Sequence, residues 1–442
     1  MKRRLSVVLA LLMALVSVSG VFAVQRKKTY IVSSSFSLGE PQIKGKNAVF
    51  LINDVTEMGD MVNTSDLGAL RGGGVGCLYL PGRLPSGVES ATVIIDAPTF
   101  SEIVGKGYGS RLHGFKMEHT LGVLEFVGQD HITKLGEGEF RFDLEKKEPS
   151  ILDGSAKATV GKRPIYDFSL RVNNRPIPAY NKGTLIRLPY YPQKGEEKNC
   201  LALYRVDGGH LSIVASSVYK EETRYEYEQD VEHRYIEALI DEGGIYAVGY
   251  KEVSYSDIKG WYKPYANFVM ARGIMNEKKG MFSPNDPITR GDLAFYLKNM
   301  SDDRGRVSQS NFKDVPRSHP YANSIDWAYA KGLIKGYSDG SFKPDQVISR
   351  QELAAMLYRY IEVDAQVPMP TLHQKQTFKD GGKIASYAKE AISSLQQSGV
   401  IDGRGNGYFV PQANVTRAEC AKMIVTVMEG IMDGKNSFVW RE

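Results

Sequence analysis

Three stretches of this chain repeat one pattern: EKKGMFSPNDPITRGDLA (Glu277 to Ala294), KGYSDGSFKPDQVISRQELA (Lys335 to Ala354) and DGRGNGYFVPQANVTRAECA (Asp402 to Ala421). A repeat of this size constrains the fold strongly, because one unit cannot bury its apolar face alone and must pack against its copies. Ahead of each copy an aromatic stands two residues before an aspartate, at Tyr255/Asp257, Phe312/Asp314 and Phe378/Asp380, the aspartates lying 57 and 66 residues apart. An amphipathic helical pattern follows each aspartate. Gly273, Gly332 and Gly399 stand near the helix ends, where a left-handed cap needs a residue without Cβ. A glycine turn then leads to Phe282/Pro284, Phe342/Pro344 and Phe409/Pro411.

The second helix of each unit is announced by Thr289-Arg290-Gly291-Asp292, Ser349-Arg350-Gln351-Glu352 and Thr416-Arg417-Ala418-Glu419. A hydroxyl at the N-cap and a carboxylate three residues on make a capping box, with Thr289, Ser349 and Thr416 as caps and Asp292, Glu352 and Glu419 answering them. Ile288/Leu293, Ile348/Leu353 and Val415/Cys420 have the spacing of a hydrophobic staple. Capping does not account for the arginine, since a cation in a helix's first turn opposes the macrodipole. Two readings stand. Either each arginine pairs with its neighbouring carboxylate or lies over the preceding turn, or it forms an anion site with the exposed helix N–H groups and a guanidinium fork.

An aromatic-x-Asp, a helix, then Gly336-Tyr337-Ser338-Asp339-Gly340-Ser341-Phe342-Lys343-Pro344 and a Thr/Ser-Arg-x-Glu helix start resemble the S-layer homology (SLH) domain, three times over. The resemblance covers about Val253 to Gly434 and implies a mainly α-helical pseudo-threefold bundle with grooves between units. It also implies non-covalent attachment to secondary cell wall polysaccharide through a carboxylate-bearing, pyruvylated sugar. Carried over by residue, the ligand-binding set is Arg350, Arg417 and Arg290, ranked in that order, with Asp314, Asp380 and Asp257 orienting or lining the grooves. Unit one departs from the pattern at Asn276 to Gly280 and Gly291-Asp292, and unit three at Gly403 to Gly407.

Upstream, short alternating or β-branched runs such as ATVIID, GEFRFDL, YDFSLRV and GIYAVGY, separated by Gly, Pro, Asn and Asp turns, predict strands; APTFSEIVGKG predicts one short helix. Residues 162–251 resemble the β-sandwich-like segment that often precedes wall-anchor repeats in Firmicutes surface proteins, which implies a spacer. The expected architecture is therefore multidomain: a signal peptide over 1–23, a β-rich domain over 24–161, a sandwich-like spacer over 162–251, and repeats over 252–304, 309–364 and 375–434.

Lys2-Arg3-Arg4, an apolar run and Val21-Phe22-Ala23 make the signal peptide. Without those three cations the formal charge falls from +5 to +2, which removes the electrostatic motive for a nucleic-acid partner. No later run is long enough to span a membrane, so the expected location is secreted, at the cell wall or S-layer, with other surface proteins as further partners. Cys77, Cys200 and Cys420 permit one disulfide but make no framework or zinc knuckle.

No cofactor or metal is expected. RGGGVG (Arg71 to Gly76) lacks the Lys-Ser/Thr of a phosphate loop, and His113, His119 and His131 lack zinc-protease spacing. Glu221, Glu222, Glu226 and Glu228 fit strand alternation better than a glycosidase pair. The alternative function is an SLH-anchored, wall-active glycoside hydrolase with its catalytic carboxylates in 24–161.

Overall fold

The computed structural model describes residues 31–439 apart from 36–40, 54–74, 82–83, 106–111, 128–137, 178–183, 227–228, 302, 304, 306, 309–311 and 367–368. The signal segment, His131, Glu228 and most of the RGGGVG stretch lie outside the described residues. Strands dominate up to Tyr250 and helices thereafter.

The strands form two sheets. One orders Ile31–Ser35, Val75–Pro81, Leu112–His119, Gly122–Val127, Thr184–Pro189, Gln229–Ile240 and Val218–Glu226. The other orders His210–Ile213, Leu201–Asp207, Gly244–Tyr250, Ile165–Val172, Phe140–Lys147, Ser90–Ile95, Asn47–Ile52 and Gln42–Lys44, with Arg175–Pro176 beside Ile165–Val172. Alternation sets which face is buried. Phe140, Phe142 and Leu144 point into the core while Arg141 and Asp143 point away. Phe142 meets Val93 and Leu170 across the ladders, and its ring lies 5.3 Å from that of Phe168. Ile186, Leu188, Ile236 and Ala238 of the other sheet enter the same core. A fully buried Phe contributes about 1.5–3 kcal/mol relative to an exposed one, so this shared core holds the sheets together.

The boundary expected between 161 and 162 falls between strands that pair with one another. Phe140–Lys147 pairs with Ile165–Val172 along eight residues, and Gly122–Val127 pairs with Thr184–Pro189, so both sheets run across it. The stretch just before that boundary contains a helix. Among the described residues this half has two α-helices: α1, Ala97–Gly105, lies in the APTFSEIVGKG segment, and α2, Gly154–Val160, is capped by Asp153, whose Oδ1 accepts from the Ala156 N–H at 2.7 Å.

The repeats contribute α3 (Lys263–Ala271) and α4 (Arg290–Met300), α5 (Ala322–Ala330) and α6 (Arg350–Arg359), and α7 (Lys389–Gln397) and α8 (Arg417–Val439). Gly273, Gly332 and Gly399 have φ of +66°, +72° and +73° just past the first helices. There the Ile274, Leu333 and Val400 N–H groups reach back to the Val269, Ala328 and Leu395 carbonyls, as a Schellman end requires. Each second helix packs on the first helix of the next unit: α4 on α5, α6 on α7, and α8 back on α3. One apolar cluster spans all the repeats and takes in Leu185, Ala215 and Val218 from the β-rich half.

Candidate functional site

The geometry of each repeat starts at its aspartate. Asp257 accepts from the Phe282 and Ser283 N–H groups (3.0 and 2.6 Å), Asp314 from Phe342 and Lys343 (2.8 and 2.7 Å), and Asp380 from Phe409 and Val410 (2.9 and 2.8 Å). Two adjacent N–H groups can aim at one carboxylate because Ser283, Lys343 and Val410 are left-handed, at φ +55°, +57° and +58°. Burial raises the Asp380 carboxyl, but these donors outweigh it and hold the group below the usual range.

The braced phenylalanine then offers its carbonyl to an arginine of another unit. Arg290 Nε donates to Phe342 O at 2.9 Å, Arg350 Nε to Phe409 O at 3.1 Å, and Arg417 Nε to Phe282 O at 2.6 Å. Each guanidinium also lies over the ring of the same phenylalanine, at 4.6, 5.0 and 5.2 Å. The backbone follows the same order. The N–H groups of Arg290 and Gly291 bond Gln346 and Pro344, those of Arg350 and Gln351 bond Ala413 and Pro411, and those of Arg417 and Ala418 bond Asp286 and Pro284. Unit one thus holds unit two, two holds three, and three holds one.

The caps sit directly beside these contacts. The Thr289, Ser349 and Thr416 hydroxyls accept from the N–H groups of Asp292, Glu352 and Glu419, whose carboxylates accept from the cap N–H groups in return. Ile288, Leu293, Ile348, Leu353, Val415 and Cys420 are all fully buried. Glu352 also accepts from Arg290 Nη1 at 3.3 Å, whereas Glu419 stands 3.8 Å from Arg350 Nη1. In unit one the shorter Asp292 takes the Tyr321 hydroxyl instead, at 2.8 Å, and Arg417 Nη1 bonds the Tyr296 hydroxyl at 2.7 Å. Gly291 belongs to this arrangement, because a Cβ there would stand 2.8 Å from the Tyr321 ring.

The three arginines are therefore not equivalent. Arg417 is 0% exposed and donates through Nε, Nη1 and Nη2, the last to Asn276 O, so no face of it remains for a ligand. Arg417, ranked second among the candidates, is thus engaged wholly within the repeats. Arg290 is balanced by Glu352 and by carbonyls of Phe342 and Lys335. Arg350 gives Nη2 to Asp402 O at 3.0 Å, and burial together with nearby Arg404 lowers its guanidinium below the usual arginine value. Arg404 was visible in the sequence only as a departure from the turn pattern. It is one-third exposed, donates from Nη2 to both Glu419 carboxylate oxygens at 2.6 and 2.8 Å, and gives this station two guanidiniums against one glutamate. A cation at the turn facing the next capping glutamate was the signal that could have found it.

Elsewhere several described acids of the β-rich half are engaged. Asp143 accepts from Thr92, Arg141 and Ser169, Glu118 pairs with Arg224, and Asp153 caps α2. Among the described residues no cluster of His, Cys, Asp or Glu could hold a metal, and no helix is long and apolar enough to cross a membrane. Cys200 and Cys420 are buried free thiols.

Comparison with known proteins agrees with the repeats. The S-layer homology domain matches residues 254–294, 311–354 and 377–421. A cellulosome-anchoring protein of Acetivibrio thermocellus is 33% identical over 154 residues, 34% of this chain and 34% of the relative. An endoglucanase of Bacillus sp. (strain KSM-635) is 28% identical over 183 residues, 39% of this chain and 18% of the relative. S-layer protein EA1 of Bacillus anthracis is 28% identical over 116 residues, 26% and 13% of the two chains. The chain spans about a third or less of the length of these relatives. Its C-terminal region carries three S-layer homology repeats, a module of cell-wall anchoring, and the chain is a secreted, wall-associated protein.

Proposed function

We propose that the repeats hold this chain on the wall by binding a carboxylate-bearing sugar of the secondary cell wall polysaccharide, at the station formed by Arg350, Arg404 and Glu419. The observation that carries the reading is the charge at that station: two guanidiniums face the Glu419 carboxylate, the neighbouring Asp402 carboxylate is paired with Lys422 at 3.1 Å, and one guanidinium is solvent-accessible. A ligand carboxylate would take the second fork, and a charge-assisted bond of this kind is worth roughly 1.5–3 kcal/mol. The head-to-tail hydrogen bonds and helix contacts support a pseudo-threefold bundle, and the single core between the sheets supports a sandwich. The β-rich half is then the body that is presented.

The test is co-sedimentation of the full chain with purified sacculi. Arg404→Ala should weaken binding about 10- to 100-fold, at 1.4 kcal/mol per tenfold, with melting unchanged. Removal of pyruvyl groups from the sacculi should remove the difference between parent and variant. Parent-like binding by Arg404→Ala defeats the proposal.

A further inference from the structure

At the end of each first helix, just before the left-handed glycine, the repeats carry Arg272, Lys331 and Ser398. Lys331 pairs with Asp303 and Asp364 inside the repeat region, but Arg272 leaves it. Arg272 Nε and Nη2 donate to Ser217 O at 3.1 and 2.8 Å, Nη1 to Asn199 O at 3.0 Å, and Nη2 also to Leu201 O at 2.6 Å. All of these acceptors are backbone carbonyls of the β-rich half. The side chain is 4% exposed, its guanidinium lies 3.6 Å from the Phe268 ring centre, and no carboxylate among the described residues bonds it. Burial lowers it to about 10, which shows how much of its solvation those carbonyls must replace. Nearby, between the sheets and the repeats, lies a cavity of about 340 Å³ lined by Leu239, Tyr246, Met300, Tyr360 and Met428.

We propose that Arg272 is a latch that locks the β-rich half to the first repeat in one orientation, so that the wall-bound repeats present a fixed body rather than a tethered one. The consequence for presentation rests on the anchoring reading above; the latch itself does not. A lysine would keep the charge but could not reach three carbonyls at once, which explains why unit two's residue type would not serve here.

Cys200 reports on the latch, since it lies between two of the carbonyls, at the turn Lys198–Cys200 that packs against α3, and is 1% exposed. Cys420 is buried in the repeat core and reports on the repeats alone. The experiment treats the full chain with iodoacetamide under native conditions and follows both thiols by peptide mass. Arg272→Met should speed modification of Cys200 by at least about tenfold through local opening, with Cys420 still protected. Arg272→Lys should fall between parent and Arg272→Met. Parent-like protection of Cys200 in Arg272→Met overturns the proposal. Exposure of Cys200 and Cys420 together also overturns it, because Arg272 would then support the whole fold rather than one joint.

Discussion

At the first helical position an arginine opposes the helix dipole by about 0.3–1 kcal/mol, yet Arg290, Arg350 and Arg417 all stand there and all are buried. The structure resolves this through the partner unit: a phenylalanine carbonyl, fixed by an aspartate, accepts from each of them. The sequence made the caps and staples legible because they are local, at fixed spacing. It could not reveal where the arginine points, since its acceptors lie 52, 59 and 135 residues away. Arg417→Met should lower stability by about 3 kcal/mol, because buried carbonyls of Phe282 and Asn276 and the Tyr296 hydroxyl lose their donor; denaturant melts check this. His119 offers a pH test at the same scale. Burial depresses its imidazole to about 4, with Nδ1 accepting from Leu121 N–H at 3.2 Å. The unfolded chain therefore binds a proton that the folded one refuses between about pH 6.5 and 4, and stability falls as pH falls through that window, by about 3 kcal/mol in full. His119→Phe should flatten that part of the melting-temperature profile, and an unchanged slope would count against a neutral buried imidazole.

Among the elements, the turn after each glycine segment is where pattern and backbone disagree. Its last residue is left-handed in every unit, but the residues there are Ser283, Lys343 and Val410, none of which advertises a positive φ. Val410 is the most strained, because a β-branched side chain in that region is a genuine outlier. Asn tolerates it much better, so Val410→Asn should raise the unfolding free energy by about 1 kcal/mol, read as a shift in denaturant midpoint at constant slope. A loss of stability would mean that the 38% exposed Val410 side chain packs against something the loop needs. The strands show the complementary limit. Their alternation identified segments such as Phe140–Lys147 and Ile165–Val172, but pairing is not written in periodicity, and the residues between them, which hold α2, do not reveal that the two strands are neighbours. A domain boundary was therefore expected inside a continuous sheet.

For the whole molecule, the decisive feature is that the repeats hold one another head to tail and the last holds the first. Removing any unit breaks two of the three contacts. A chain ending at residue 374 would lose the Phe409 and Asp402 carbonyls that receive Arg350, and would leave the Phe282 turn without Arg417. It would also expose the faces of α3 and α6 on which α8 and α7 pack. Nearest-neighbour repeat arrays lose stability in proportion to the units removed, but a closed ring loses the closing interface as well. The truncated chain should therefore melt broadly, with α3 to α6 exchanging amide hydrogens far faster than in the parent, while core strands such as Phe140–Lys147 and Ile165–Val172 stay protected. Calorimetry with hydrogen exchange separates the cases. A sharp transition at the parental temperature, with α3 to α6 still protected, would mean that each unit stands alone and that the ring of arginine contacts adds no cooperativity.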